Sequence, residues 1–142
     1  MRRTLASRKG QSLIEFAFVL PLLLALTIGM IEFGFFLYNQ QVITNASREG
    51  ARKGIISRTE RVPEGLPTDG AGVDSIRSVV NEYCLNRLVT FGPSGALRTT
   101  APHDVHALFG TDLTVRVEYD YYFILFSHTP TTLVAQTVMK YE

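Results

Sequence analysis

Few residues in this sequence stand where they could do chemistry, and the two most costly to place are carboxylates bordering or inside its most apolar stretch. Glu15 opens an apolar run from Phe16 to Tyr38, and Glu32 lies within that run. On a helix the two are separated by about 25 Å of rise. At about 100° per residue they do not share a face, so a proton or metal held between them within one helix is excluded. A carboxylate deep in lipid costs about 2.5 to 3.5 kcal/mol unless it is paired or kept near the interface. Glu15 therefore either snorkels into the headgroups or meets a positive group on a neighbouring helix. Were the chain cut after Gly10, the new amino group at Gln11 of a neighbour would be such a group. Glu32 is expected to contact a partner or the outer interface.

The other candidates are weaker. His103, Asp104 and His106 lie in a Pro-flanked loop, with His128 in a separate turn. Imidazole and carboxylate are common metal ligands, but three in one loop without ligand spacing make a poor site, and no metal is expected. Ser and Asp are present without a G-x-S-x-G elbow, a phosphate-binding loop, a dinucleotide turn or a C-x-x-C pair. The reading is no catalytic residues, no cofactor and no enzyme. Cys84 is the single cysteine and cannot form an intramolecular disulfide. It falls on the apolar side of a helical pattern and reads as a buried thiol.

The elements that position these residues begin with a basic leader, Arg2, Arg3, Arg8 and Lys9. The run at about 16–38 follows, roughly 23 residues, long enough to cross a hydrocarbon core of about 30 Å. A cleaved secretory signal would have a shorter apolar core and a small-residue cleavage site. The basic residues precede the span, which places the N-terminus in the cytoplasm and exports the rest. Pro21 removes one backbone donor inside the span, so a kink is expected there. Helical pattern continues past Tyr38 with no proline to Ile56 and sets Glu49 four residues before Lys53. One long helix over 11–56 is the expectation. Ala46, Gly50 and Gly54 form a small-residue stripe that lets another helix backbone approach closely. Arg48 and Arg52 read as a solvated face.

Residues 57–142 read as a small exported domain. Pro63, Gly65, Pro67, Gly70 and Gly72 mark a loop over 57–72. Val73, Ile76, Val80, Tyr83, Cys84 and Leu88 follow helical spacing on one apolar stripe. From Leu113 to Phe126 the sequence alternates, with Leu113, Val115, Val117, Tyr119, Tyr121 and Phe123 on one side, which predicts a strand with one buried face and puts Tyr119 and Tyr121 inside. A second strand runs from Thr131 or Leu133 to Tyr141 across a SHTPT turn, and a third lies between Leu97 and Phe109. The fold class is α+β, a helix packed on an antiparallel sheet behind a long N-terminal transmembrane helix. A segment of roughly 85 residues is near the smallest that supports its own core. With a net charge of only +1, the chain lacks the electrostatic footprint of a nucleic-acid binder.

The residues QSLIEFAFVLPLLLALTIGMIEFG, followed by NASREGAR, resemble the N-terminus of the TadE-like minor pilins, or pseudopilins, of the tight-adherence (Flp-type, type IV pilus-related) secretion system. The resemblance covers about residues 8–54, including Glu15, Phe16, Pro21, Glu32, Phe33, Gly34 and the REGAR segment. It implies a leader over 1–10, cut by a membrane prepilin peptidase between Gly10 and Gln11. It also implies that Glu15, with Phe16 and Glu32, serves docking and assembly. The partners it implies are other pilin or pseudopilin subunits, an inner-membrane assembly platform and membrane lipid. The domain would then lie in the periplasm or at the cell surface, retained by its membrane helix or incorporated in a pilus. The rival reading is an uncleaved, membrane-anchored adhesin or ligand-binding domain that is never assembled.

Overall fold

The structure, a computed structural model, describes residues 8–59, 71–90, 95–101, 110–124 and 130–140. Most of the leader, the Pro/Gly-rich centre of the expected loop (Pro63, Gly65, Pro67, Gly70), the loop carrying His103, Asp104 and His106, and the turn with His128 lie outside the described residues, as do Phe109, Phe126 and Tyr141. Five elements follow in order: helix α1 (Arg8–Thr59), helix α2 (Ala71–Cys84), and strands β1 (Leu97–Thr100), β2 (Asp112–Tyr121) and β3 (Thr131–Lys140). The fold is α+β, and the chain divides into two units, Met1–Gly34 and Phe35–Glu142.

The first unit is the leading part of α1. Its most apolar 18 residues have a mean hydropathy of 2.3 and none is buried, so length and composition suffice to cross a membrane. The helix continues through Pro21. The polar side chain of Thr27 is satisfied locally, its hydroxyl donating to the Leu23 carbonyl at 2.8 Å, as an apolar surrounding requires.

The second unit contains the later part of α1, and here the helix has a buried face. Asn39, Val42, Ile43, Ala46, Ser47, Gly50, Ala51 and Gly54 are buried, a run of i, i+3, i+4 and i+7 spacings that forms one stripe along four turns. Val42, Ile43, Ala46 and Ala51 join Ile76, Val80 and Cys84 of α2 and the inward residues of the sheet in one core. The compact unit therefore starts inside the helix, at Phe35, upstream of the domain boundary at residue 57 that the loop composition suggests. The helix also outlasts that boundary: residues 57–59 are still helical, and α2 begins at Ala71.

Helix α2 stops at Cys84, although the apolar spacing runs on to Leu88. Asn86 adopts φ +64°, a left-handed conformation that asparagine tolerates and that ends helices. The amide of Leu88 returns to the Cys84 carbonyl at 3.3 Å, and Leu88 still packs against the core from beyond the helix end.

The sheet has order β1-β2-β3, both pairings antiparallel. Leu113, Val115, Val117, Tyr119 and Tyr121 of β2 are buried, as are Leu133 and Ala135 of β3, and the two intervening sets face outward with period 2. Strand β2 ends at Tyr121, short of Phe126, because the ladder with β3 ends at the pair Tyr121–Thr131. Strand β1 is held by close backbone approach. A Cβ at Gly95 would collide with the Asp120 carbonyl oxygen, so only glycine lets the chain enter β1 there.

Candidate functional site

Gly10 and Gln11 lie in the opening turns of α1, both exposed, with no side chain near the position a Gly10 Cβ would take. Glu15 is exposed one turn later, and Phe16 is 59% exposed. The second carboxylate is in a different state. Glu32 is only 2% exposed, on a helix whose neighbouring residues Ile31 and Phe33 remain open. Within the single chain Glu15 presents its carboxylate outward and Glu32 does not.

The small-residue stripe faces the chain's own domain. A Cβ at Gly50 would lie 2.7 Å from Val80 Cγ2 and 3.3 Å from Ile76 Cγ2; one at Gly54 would lie 2.7 Å from Leu113 Cδ2 and 2.8 Å from Ile76 Cδ1. Ala46 is fully buried beside them in sequence. These positions are small because α2 and β2 sit against the helix backbone, leaving no room for a methyl group. Arg48, Glu49, Arg52 and Lys53 are exposed on the opposite side, and the ion pairs among the described residues do not join Glu49 to Lys53.

Three polar residues on or beside the buried stripe tie the helix to the domain, and sequence reading passed over all of them. The Asn39 amide is fully buried: its Nδ2 donates to the Val89 carbonyl at 2.6 Å, and the Val89 amide donates to Asn39 Oδ1 at 2.9 Å. One side chain thus satisfies both backbone groups of a residue that follows α2, as a neighbouring strand would. Gln40 Nε2 donates to the Val134 carbonyl of β3 at 3.0 Å, and the Ser47 and Thr137 hydroxyls lie 2.7 Å apart. The available signal was their spacing, since Asn39, Ala46, Ser47 and Gly50 recur at helical intervals with Val42 and Ile43.

The outer face of the sheet carries a charge network. Asp120 accepts from Arg98 Nη2 at 2.5 Å and from the Thr132 hydroxyl at 2.9 Å, while Arg116 Nε donates to Glu118 Oε1 at 2.8 Å. These contacts cross all three strands through Asp120 and serve strand pairing. Cys84 is buried, and burial pushes its thiol up to about 11, partly offset by nearby Arg87. It is a protonated, unreactive thiol at neutral pH. Among the described residues no group of His, Cys, Asp and Glu is disposed to hold a metal.

Exposed Glu15 thus heads a bare apolar helical segment, and the later turns of α1 belong to a domain core. Residues 10–52 match the family described as TadE-like protein. The N-terminal segment is TadE-like. The match takes in Gly10, Glu15, Phe16, Pro21, Glu32 and the REGAR segment, and it ends before α2 and the sheet. No match was found among curated proteins or among solved structures.

Proposed function

We propose that the protein is a membrane-anchored, pilin-like structural subunit of a tight-adherence (Tad/Flp) pilus assembly or secretion machine. It is cut by a prepilin peptidase between Gly10 and Gln11 and acts through subunit contacts, with no catalysis of its own. The TadE-like match over residues 10–52 carries this reading. The exposed, apolar character of the same segment supports it.

The role of Glu15 follows from its surroundings. Alone in lipid its carboxylate costs about 2.5 to 3.5 kcal/mol. The α-amino group freed at Gln11 of an adjacent subunit offsets that cost, and in a medium of low dielectric the attraction is strong. Because Glu15 lies four residues past Gln11, pairing between subunits requires neighbouring helices to be staggered by about 6 Å along their axes. The pair thereby sets register as well as affinity. Phe16 is exposed beside it and supplies apolar contact. Glu32, at 2% exposure, offers little surface to another subunit, so direct docking rests on Glu15 and Phe16. The leader's basic residues keep the N-terminus cytoplasmic, where the peptidase and the inner-membrane assembly platform act, and the sheet domain lies outside.

Co-expression with a prepilin peptidase, followed by mass spectrometry of the membrane-extracted protein, tests the reading. The mature chain is expected to begin at Gln11. An intact Met1 in the presence of active peptidase would sink it and favour an unassembled, membrane-anchored adhesin.

A further inference from the structure

We infer that the end of the sheet domain nearest the membrane rests on the bilayer, with Tyr122, Phe123 and Ile124 seated in the lipid headgroup and acyl boundary. This inference rests on the reading of α1 as a membrane span. A hydrocarbon core of about 30 Å takes up roughly 20 residues of helix. Counted from Phe16, the span emerges at about Phe36, and Leu37 and Tyr38 on the next positions are 48% and 47% exposed.

Phe36 does not stand alone at that level. Its ring lies 5.6 Å from Phe123 in a stacked arrangement and 5.8 Å from Tyr121 edge-on, and Tyr121 and Phe123 are 5.0 Å apart. These contacts hold Tyr121 and Phe123, at and just past the end of β2, within 5.8 Å of Phe36. Tyr121 is consumed in the core, but Tyr122 and Phe123 are half-buried and Ile124 is 57% exposed. Aromatic rings at this depth match the interfacial preference of Tyr and other amphipathic side chains, with the ring in the acyl boundary and the hydroxyl in the headgroups. Ile124, next in sequence, adds an exposed apolar side chain to this aromatic group. A lipid interface is therefore the occupant that fits.

The sequence contains no tryptophan, so a single introduced one reports its own environment. Three full-length variants would be reconstituted in phosphatidylcholine vesicles: Ile124→Trp, Leu22→Trp in mid-span, and Val138→Trp. Val138 is exposed on β3 and pairs across from Thr114, near the other end of the ladder, about 23 Å along the strand from Thr131. Lipids brominated near the headgroup end of the acyl chain are expected to remove most of the Ile124→Trp emission. Deep bromines should remove that of Leu22→Trp, and Val138→Trp should respond only to aqueous iodide. If Leu22→Trp is quenched by lipid while Ile124→Trp answers to iodide and not to bromine, the span stands and the docking is wrong. If Leu22→Trp escapes lipid quenching, the span reading fails and the docking fails with it. Should lipid quenching of Ile124→Trp vanish only when partner pilins are added, a neighbouring subunit, not lipid, covers the patch in the assembly, and the inference is overturned for the assembled state.

Discussion

The two halves of α1 are one continuous helix in two different chemical settings. From Leu13 to Ile31 nearly every large apolar side chain is exposed, whereas from Asn39 to Gly54 a single stripe is buried and the opposite side is charged. The first half is apolar all round, which in water has no stable solution and in lipid needs no partner within the chain. The second is amphipathic and is completed by α2 and the sheet. Glycine marks the same division. Gly29 and Gly34 have open space where a side chain would go, and Gly50 and Gly54 have none. The lesson is that a small-residue motif on a membrane-proximal helix does not by itself announce a contact between subunits. Here that surface is occupied within the chain, by Ile76 and Val80 of α2 and Leu113 of β2.

The sharpest way to break this division is to remove the one charge at the head of the exposed half. Glu15→Ala is expected to leave insertion intact, since it lowers the cost of placing the helix in lipid, and to abolish co-purification with partner pilins. The sheet domain should keep its thermal stability. Unchanged co-purification would show that Glu15 does not dock.

Glycine substitutions test the division from its other side with a smaller effect. Gly50→Leu drives a side chain into Val80 and Ile76, neither of which can swing away, because both are branched at Cβ. Overpacking of this kind costs about 1 to 3 kcal/mol. For a unit of this size each kcal/mol lowers the melting temperature by about 4 to 8 °C. Gly29→Leu, in open space, should leave the melting temperature in detergent unchanged. Equal losses at the two positions would mean that the halves are not distinct.

Much of the architecture is legible in the residues, and what is not has identifiable causes. The alternation from Leu113 onward gives β2 because one face of an antiparallel sheet is buried and the other meets water. The stripe Ile76, Val80 and Cys84 gives α2 for the matching helical reason. The TadE-like start is legible because Glu15, Pro21 and Glu32 are unexpected in a plain apolar helix. Harder to read is where α1 becomes part of the domain, since Asn39 and Ser47 occupy core positions and break the apolar periodicity that would reveal the stripe. Leu88 misleads in the opposite sense: it keeps helical spacing although the left-handed turn at Asn86 has already ended α2. The Pro/Gly count over 57–72 places the domain boundary by loop composition, which carries no information about a helix packing on the far side of that loop.

Asn39 gives the finest test, because it separates a polar residue that belongs to the core from one that merely sits in the helix. Asn39→Ala leaves the amide and carbonyl of Val89 without their partner, and each buried backbone group left unmet costs about 1 to 3 kcal/mol. Both groups are only part-buried, so water recovers some of this and a net loss of about 1 to 2 kcal/mol is expected. Hydrogen exchange at the Val89 amide should accelerate with it. The paired control is Thr27→Val in the leading half, where the lost hydroxyl bonded only its own helix and removal of a polar group from an apolar surrounding should cost nothing. If Asn39→Ala proves as silent as Thr27→Val, the clamp contributes little, and the apolar stripe through Val42, Ile43 and Ala46 holds the helix to the domain without it.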